Sequence, residues 1–96
     1  MDDVRHKLQH IVGSLDNPRA DIQTLLDEAL DGNLHSALVL FAAVFPGWAI
    51  GDGIDQPIGK FVAKLYAPDD TIIEGEGQTF LAAVLDAIIQ GKALAA

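Results

Sequence analysis

Cysteine is absent from the sequence. Its absence excludes disulfide bonds, thiol catalysis and zinc sites with cysteine ligands. The redox compartment stays open on this ground, but a chain without cysteine suits the cytosol, so we expect a cytoplasmic protein. No motif in the sequence indicates a cofactor.

Long hydrophobic runs are also missing. The longest apolar stretch, residues 37–50, is interrupted by Pro46 and Gly47. It is shorter than the roughly 20 residues that a membrane-spanning helix needs. Residues 1–10 are polar and acidic, unlike a signal or transit peptide. We therefore expect a soluble protein with no membrane partner.

Basic residues are scarce. The chain has six Lys/Arg against fourteen Asp/Glu, which gives a formal net charge of −8. Residues 1–46 and residues 47–96 each carry three Lys/Arg and seven Asp/Glu. Binding to a phosphate backbone needs a basic face, so we expect no direct nucleic-acid binding. The acidity suits solubility or a basic partner.

What the chain does have is apolar residues in excess. Half of the 96 residues are hydrophobic and the mean hydropathy is positive, which is high for one soluble domain of this length. Some apolar surface is therefore expected to stay exposed in the monomer. Such surface favours a protein partner or a homodimer.

Two amphipathic helices are predicted within residues 1–32, as an outer pair. The first spans residues 2–12. The second starts after Asn17, its predicted cap, with Pro18 in the first turn, and it ends at Gly32. Each has apolar residues on one face only, so each is expected to cover one side of the core.

A third helix, residues 34–45, is predicted to lie at the centre of the fold. Residues 37–45 are all apolar, and a helix that is apolar all round has to be buried on several sides. Thr79 is predicted to cap a last helix over residues 80–90. Gly91 is expected to end that helix, leaving residues 92–96 as a frayed tail.

Three strands are predicted between the third and fourth helices, at residues 48–51, 60–66 and 72–75. Residues 51–59, rich in glycine and aspartate, are predicted as a flexible loop. Residues 67–71 are predicted as a hairpin connection, with Asp70 in the left-handed conformation that glycine usually takes.

The preferred strand register pairs Ala67 with Thr71. It places Lys64 opposite Glu74 and collects apolar residues on the other face, which a one-residue slip would not do. The element order is then α-α-α-β-β-β-α. This predicts a small α+β domain over residues 1–96 with a three-stranded antiparallel sheet, in which residues 33–91 are the helix–sheet–helix unit.

The C-terminal two thirds of the chain contains a combination of short segments that can be compared with known families. They are residues 37–40 (ALVL), 45–48 (FPGW), 61–66 and 72–75 joined by 68–70 (PDD), and 76–79 (EGQT) before 81–85 (LAAVL). In these segments the chain resembles the phage ABA-sandwich family, small proteins of unknown function from phages and prophages. The resemblance implies a fold and a phage or prophage setting. The family has no established catalytic residues, so it implies no activity.

Histidine spacing suggests one metal site. His6 and His10 are four residues apart on the first helix, a spacing that lets two imidazoles grip one metal ion. The site would need a third ligand, and Asp2 and Asp3 are the nearest choices. The simpler interpretation is preferred, in which both histidines are solvated and lie beside the apolar face of the first helix, because this spacing is common on helices.

Catalytic patterns are missing. The serines lack a nucleophile motif such as G-x-S-x-G, and residues 75–77 lack the context of a phosphate-binding loop. Turn chemistry and a solvated sheet face explain the acid pairs at residues 69–70 and at Glu74 and Glu76. We therefore do not expect an enzyme.

The predicted binding surface is the sheet face turned away from the helices. Its residues are Val62, Lys64, Tyr66, Ile72 and Glu74, joined by Trp48 or Ala49 according to how the first strand is set. Apolar and aromatic side chains on a face that is expected to be exposed to solvent suggest that this face contacts another molecule. An N-terminal helix folded across this face would explain them equally well.

The leading hypothesis is a non-enzymatic protein of phage or prophage type that acts by binding another protein or itself. An alternative is an acidic inhibitor that imitates nucleic acid and blocks a basic host protein. A third hypothesis, a metal-binding protein, rests on His6 and His10 alone.

Overall fold

The computed structural model describes residues 2–15, 19–55 and 60–95. The elements are α1 (Asp2–Gly13), α2 (Ile22–Leu30), α3 (Leu34–Val44), β1 (Ala49–Asp55), β2 (Lys60–Tyr66), β3 (Ile72–Gly77) and α4 (Phe80–Ala95). The predicted α+β class and the order α-α-α-β-β-β-α are confirmed.

The sheet is antiparallel with strand order β1-β2-β3. The predicted register is confirmed, because Lys64 lies opposite Glu74 and the Ala67 N–H donates to the Thr71 carbonyl at 2.9 Å. Asp70 has a φ of 71°, the left-handed conformation that the turn requires. The hairpin is therefore specified by its own local chemistry.

Helix α4, and not α3, is the middle layer. It packs on β2 and β3 with one side, while α1 and α3 pack against it from the other and α2 packs on α1 and α3. The core lies on both sides of α4, where Val84 and Ile88 are fully buried together with Leu26, Leu40 and Leu65.

The expectation that α3 is buried on several sides was wrong. Leu34 is 38% exposed, Ala42 is exposed, and Leu38 and Val39 are only partly buried. Because α3 contacts α2 and α4 but lies at the outside of the helical layer, its apolar composition leaves one apolar side facing out.

Two glycines that were expected to end or turn elements lie inside them. Strand β3 continues through Gly75 to Gly77. Helix α4 continues past Gly91 to Ala95, so residues 92–95 are helical and not a tail. Strand β1 is also longer than expected, since it continues past Gly51 to Asp55 where a flexible loop was predicted. The rest of that predicted loop, residues 56–59, lies outside the described residues.

The helix ends follow local hydrogen bonding. Asn33 caps α3 by accepting from the Ser36 N–H at 3.1 Å, and Thr79 caps α4 by accepting from the Ala82 N–H at 3.1 Å. Gly32, with a φ of 106°, ends α2. There the Asn33 N–H donates to Glu28 O and the Gly32 N–H to Ala29 O, the pattern of a Schellman cap.

The start of α2 differs from the prediction. The helix begins at Ile22 with Asp21 in the N-cap position, while Asn17 and Pro18 lie outside the described residues. Asp21 makes no side-chain cap bond, because its carboxylate pairs with Arg19 at 2.7 and 3.2 Å. Within the described ranges, no helix combines the length and the apolar character needed to cross a membrane.

Candidate interaction surface

Among the described residues, no helix packs on the outer sheet face, defined as the face of the sheet opposite α4. The N-terminal helices pack elsewhere, α1 against α2 and α4, and α2 against α1 and α3. The alternative in which an N-terminal helix covers this face was therefore wrong. Ile72 is 55% exposed and Tyr66 39% exposed, which agrees with an open face.

All five predicted site residues lie on the outer sheet face. Val62, Lys64 and Tyr66 alternate along β2, and β3 places Glu74 opposite Lys64 and Ile72 opposite Tyr66. Side chains that are directly opposite in an antiparallel pair share a face and touch. The two exposed apolar side chains thus form one cross-strand pair at the hairpin end of the sheet.

Val62 differs from the other four residues because it is only 8% exposed. Glu76 lies opposite it on β3, and Lys60 precedes it by two residues on the same face. The Nζ of Lys60 and the Oε2 of Glu76 form an ion pair at 3.3 Å, diagonally beside Val62. Val62 therefore supports the face and offers little surface to a partner.

The ring of Tyr66 lies over Gly51 of the neighbouring strand. A Cβ atom placed on Gly51 would be 3.0 Å from the Cε2 of Tyr66 and 3.4 Å from its hydroxyl oxygen. Ala49 is the direct partner of Tyr66, so Ala49, and not Trp48, joins the face. Trp48 instead packs its ring 4.5 Å from that of Phe45. The Tyr66 ring therefore occupies the space above Gly51 that a side chain would otherwise fill.

The outer sheet face carries nearly balanced charges. Its described side chains include two lysines, Lys60 and Lys64, and two glutamates, Glu74 and Glu76, and Asp55 of β1 takes the register position opposite Lys60 on the same face. The remaining residues of the chain include four Lys/Arg and eleven Asp/Glu, so they account for −7 of the formal net charge of −8. Lys64 and Glu74, both described, form no ion pair with each other, unlike Lys60 and Glu76.

Lys60 and Glu76 were missed as site residues from the sequence. The signal that places them is the two-residue period of each strand, which puts Lys60 with Val62 and Glu76 with Glu74. Glu76 was lost because β3 was expected to stop at Gly75. The two extra residues extend the charged half of the face.

Within the part of the chain that the structure describes, the two histidines lack the third ligand that a metal site would need. His6 and His10 are both exposed and line a depression of about 380 Å³ with Gln9 and Ser14. Among the described residues, no group of three His, Cys, Asp or Glu side chains could hold a metal ion. Asp3, one proposed third ligand, pairs with Lys7 at 3.4 Å.

Two surface carboxyl groups have perturbed pKa values. The hydrogen bond from Arg19 lowers the pKa of Asp21, and hydrogen bonds from Thr71, through its side chain and then its backbone N–H, lower the pKa of Asp69. A lowered pKa keeps a carboxylate ionised at neutral pH. A general acid at neutral pH needs the opposite shift.

A groove also runs between the start of α1 and residues 81–89 of α4. It has a volume of about 630 Å³, and its apolar lining is Val4, Leu30, Leu81, Leu85 and Ile89. Asp86 stands at this groove and accepts a hydrogen bond from the Glu76 N–H at 2.9 Å. That bond ties α4 to β3, so the carboxylate has a structural use.

Comparison of the chain with known protein families, with curated proteins and with solved structures finds no match.

Proposed function

We propose that this chain is a non-enzymatic protein of phage or prophage type that acts by binding protein through its outer sheet face. The observation that carries the proposal is the exposed pair of Tyr66 and Ile72 on a sheet face that none of the four described helices covers. The phage setting rests on the family resemblance alone.

Physical chemistry supports this face as a contact surface. A large aromatic and a β-branched side chain lose free energy when they leave water, by about 25 cal/mol per Å² of apolar surface. Tyrosine is enriched among the residues that carry binding energy at interfaces. The Tyr66 ring lies against Gly51 of the neighbouring strand, so part of its surface already packs on the sheet and the exposed remainder is available to a partner.

The charged residues beside the apolar pair resemble the polar rim of a protein interface. Lys64 and Glu74 flank the apolar pair on one side, as polar residues do at the rim of an interface. Asp69 is an exposed turn residue whose carboxylate accepts a hydrogen bond from the Thr71 N–H at 3.1 Å, which agrees with turn chemistry as the reason for an acid at this position.

The proposal is tested by retention on the tagged protein, using source-cell lysate at low and high salt. The double variant Tyr66→Ser/Ile72→Ser is expected to lose the retained protein, whether a partner or an untagged copy. Leu34→Ser is a matched control, since Leu34 is 38% exposed against 39% for Tyr66 and lies on α3. Circular dichroism checks that both variants fold. Equal retention by the double variant and the wild type would count against this face.

The second candidate function is an acidic inhibitor of a basic protein. It is favoured by the net charge of −8, most of which lies outside the outer sheet face, and by three exposed acids in and just after α2: Asp27, Glu28 and Asp31. In this case retention falls steeply with salt and survives Tyr66→Ser/Ile72→Ser. Substitution of two α2 acids by the corresponding amides would then reduce it.

A further inference from the structure

We propose that the protein bound by the outer sheet face is a second copy of this chain. The inference rests on the proposed function, because it names the partner of that same face. Its observations are the charge balance of the face, the arrangement of its lysines and glutamates, and its exposed apolar pair.

Electrostatics select this face for self-association. Two copies of a chain with a net charge of −8 repel each other, and the repulsion is strongest where acidic surfaces meet. By the strand register, the outer sheet face carries two lysines, two glutamates and Asp55, which is close to balance, while the rest of the chain accounts for −7 of the net charge. Contact through this face therefore keeps the acidic surfaces of the two copies apart. A basic partner would instead be drawn to those acidic surfaces.

The pattern of charges is also self-complementary. In a two-fold symmetric contact, any pairing of residue i with residue j occurs twice. If Lys64 of one copy meets Glu74 of the other, the reverse pair forms as well. Within one chain Lys64 and Glu74 are opposite each other without an ion pair, whereas Lys60 and Glu76 are joined at 3.3 Å.

The size of the face sets the strength of the contact. Three strands about 4.8 Å apart, with a rise of about 3.3 Å per residue, give a flat area of roughly 350 Å². A standard interface takes roughly 800 Å² from each partner. We therefore expect a weak, rapidly exchanging dimer with a dissociation constant in the micromolar range or above.

Charge-swap variants test the partner. Sedimentation equilibrium of the full chain is measured from about 10 µM to about 1 mM for the wild type, Lys64→Glu, Glu74→Lys, and the double swap Lys64→Glu/Glu74→Lys. Thermal melting checks folding, because each single swap puts like charges on opposite strands. Each single variant is expected to dimerise at least about tenfold more weakly. The double swap and an equimolar mixture of the two singles recover dimerisation.

Salt supplies an independent reading. Salt screens two opposing effects in the wild-type dimer, the repulsion between two acidic copies and the attraction between Lys64 of one copy and Glu74 of the other. The wild-type dimer is therefore expected to change little with salt. In each single variant the face gains like charges, so the homodimers of Lys64→Glu and of Glu74→Lys are expected to tighten with salt, whereas their mixed dimer, in which faces of opposite charge meet, is expected to weaken.

Two results overturn the inference. One is a wild-type chain that stays monomeric at the highest concentration, and the other is a dimer that the single swaps leave unchanged. If the monomeric chain still retains a different protein, and Tyr66→Ser/Ile72→Ser abolishes that retention, then the second copy is ruled out as partner while the proposed function stands. If retention also survives those substitutions, both fail.

Discussion

Gly75 of β3 lies directly against the backbone of Ala87 on α4. A Cβ atom placed on Gly75 would be 2.6 Å from the Ala87 Cα and closer still to the Ala87 nitrogen. Because backbone atoms cannot rotate away as a side chain can, this contact sets how closely the helix approaches the sheet. The same relationship recurs two residues on, where a Cβ on Gly77 would be 2.6 Å from the Ala82 Cβ.

Gly75→Ala is therefore expected to destabilise the fold by about 3 kcal/mol, the upper part of the usual range for overpacking. Urea denaturation measures the change. Gly13→Ala is the control, since Gly13 is in α1 with no atom within 4 Å of an added Cβ. That variant should be neutral or up to about 1 kcal/mol more stable, because alanine loses less backbone entropy. Equal effects at the two positions would contradict the close contact.

Gly91→Ala is expected to destabilise the fold by about 1 kcal/mol, although alanine is the better helix former. The added Cβ would be 2.7 Å from the Cζ of Phe45. Phe45 is buried and packs against Trp48 at 4.5 Å, so its ring has little room to shift. The measurement is a double-mutant cycle with Phe45→Leu. In the Phe45→Leu background the Gly91→Ala change should lose its cost, and an unchanged cost would exclude the ring as its cause.

Asn33→Ala and Thr79→Ala are each expected to cost about 1 kcal/mol, because each side chain accepts a hydrogen bond from a free N–H in the first turn of its helix. Asp21→Ala provides the contrast, as Asp21 holds the same position in α2 but makes no cap bond. Its substitution should cost less than half as much. Thermal unfolding of the three variants ranks their losses of stability. A larger loss for Asp21→Ala than for the other two would show that the cap hydrogen bonds do not determine these losses.

Asp69 is expected to stabilise the hairpin in its ionised form. Hydrogen bonds from Thr71 lower its folded-state pKa, so the stabilisation is complete above the ordinary value near 3.9. It declines as the pH falls through the lower folded-state pKa. Thr71→Val removes the hydroxyl donor and should move the Asp69 pKa upward, as followed by NMR titration of its carboxyl carbon. Asp21, whose pKa depends on Arg19, is the internal control and should titrate as before.

Local features were predictable from the sequence because short-range interactions determine them. The caps at Asn33 and Thr79 depend on a polar side chain within three residues of an N–H group. The register of β2 and β3 follows from a five-residue turn and from alternating polarity. These features also placed the candidate site, since alternation alone puts Lys64 and Tyr66 on one face.

Features that depend on contact between distant segments were not predictable in the same way. The glycines at 75 and 91 were interpreted as ends of elements, because glycine is common there, whereas they are close contacts with Ala87 and Phe45. A paired small-residue pattern existed, Gly75 and Gly77 on one strand and Ala82, Ala83 and Ala87 on the last helix. That pattern acquires its meaning only when the helix crosses the strand.

The identity of the central helix shows the difference between what composition predicts and what contacts between distant segments decide. Composition favoured α3 because residues 37–45 are all apolar, and composition alone does predict that α3 is buried on at least one side. Which helix is covered on both sides depends on which one can approach the sheet most closely, and α4 does so because small residues line its contact with β3. Once α4 takes that position, the outer sheet face has no helix to cover it, and Tyr66 and Ile72 remain exposed.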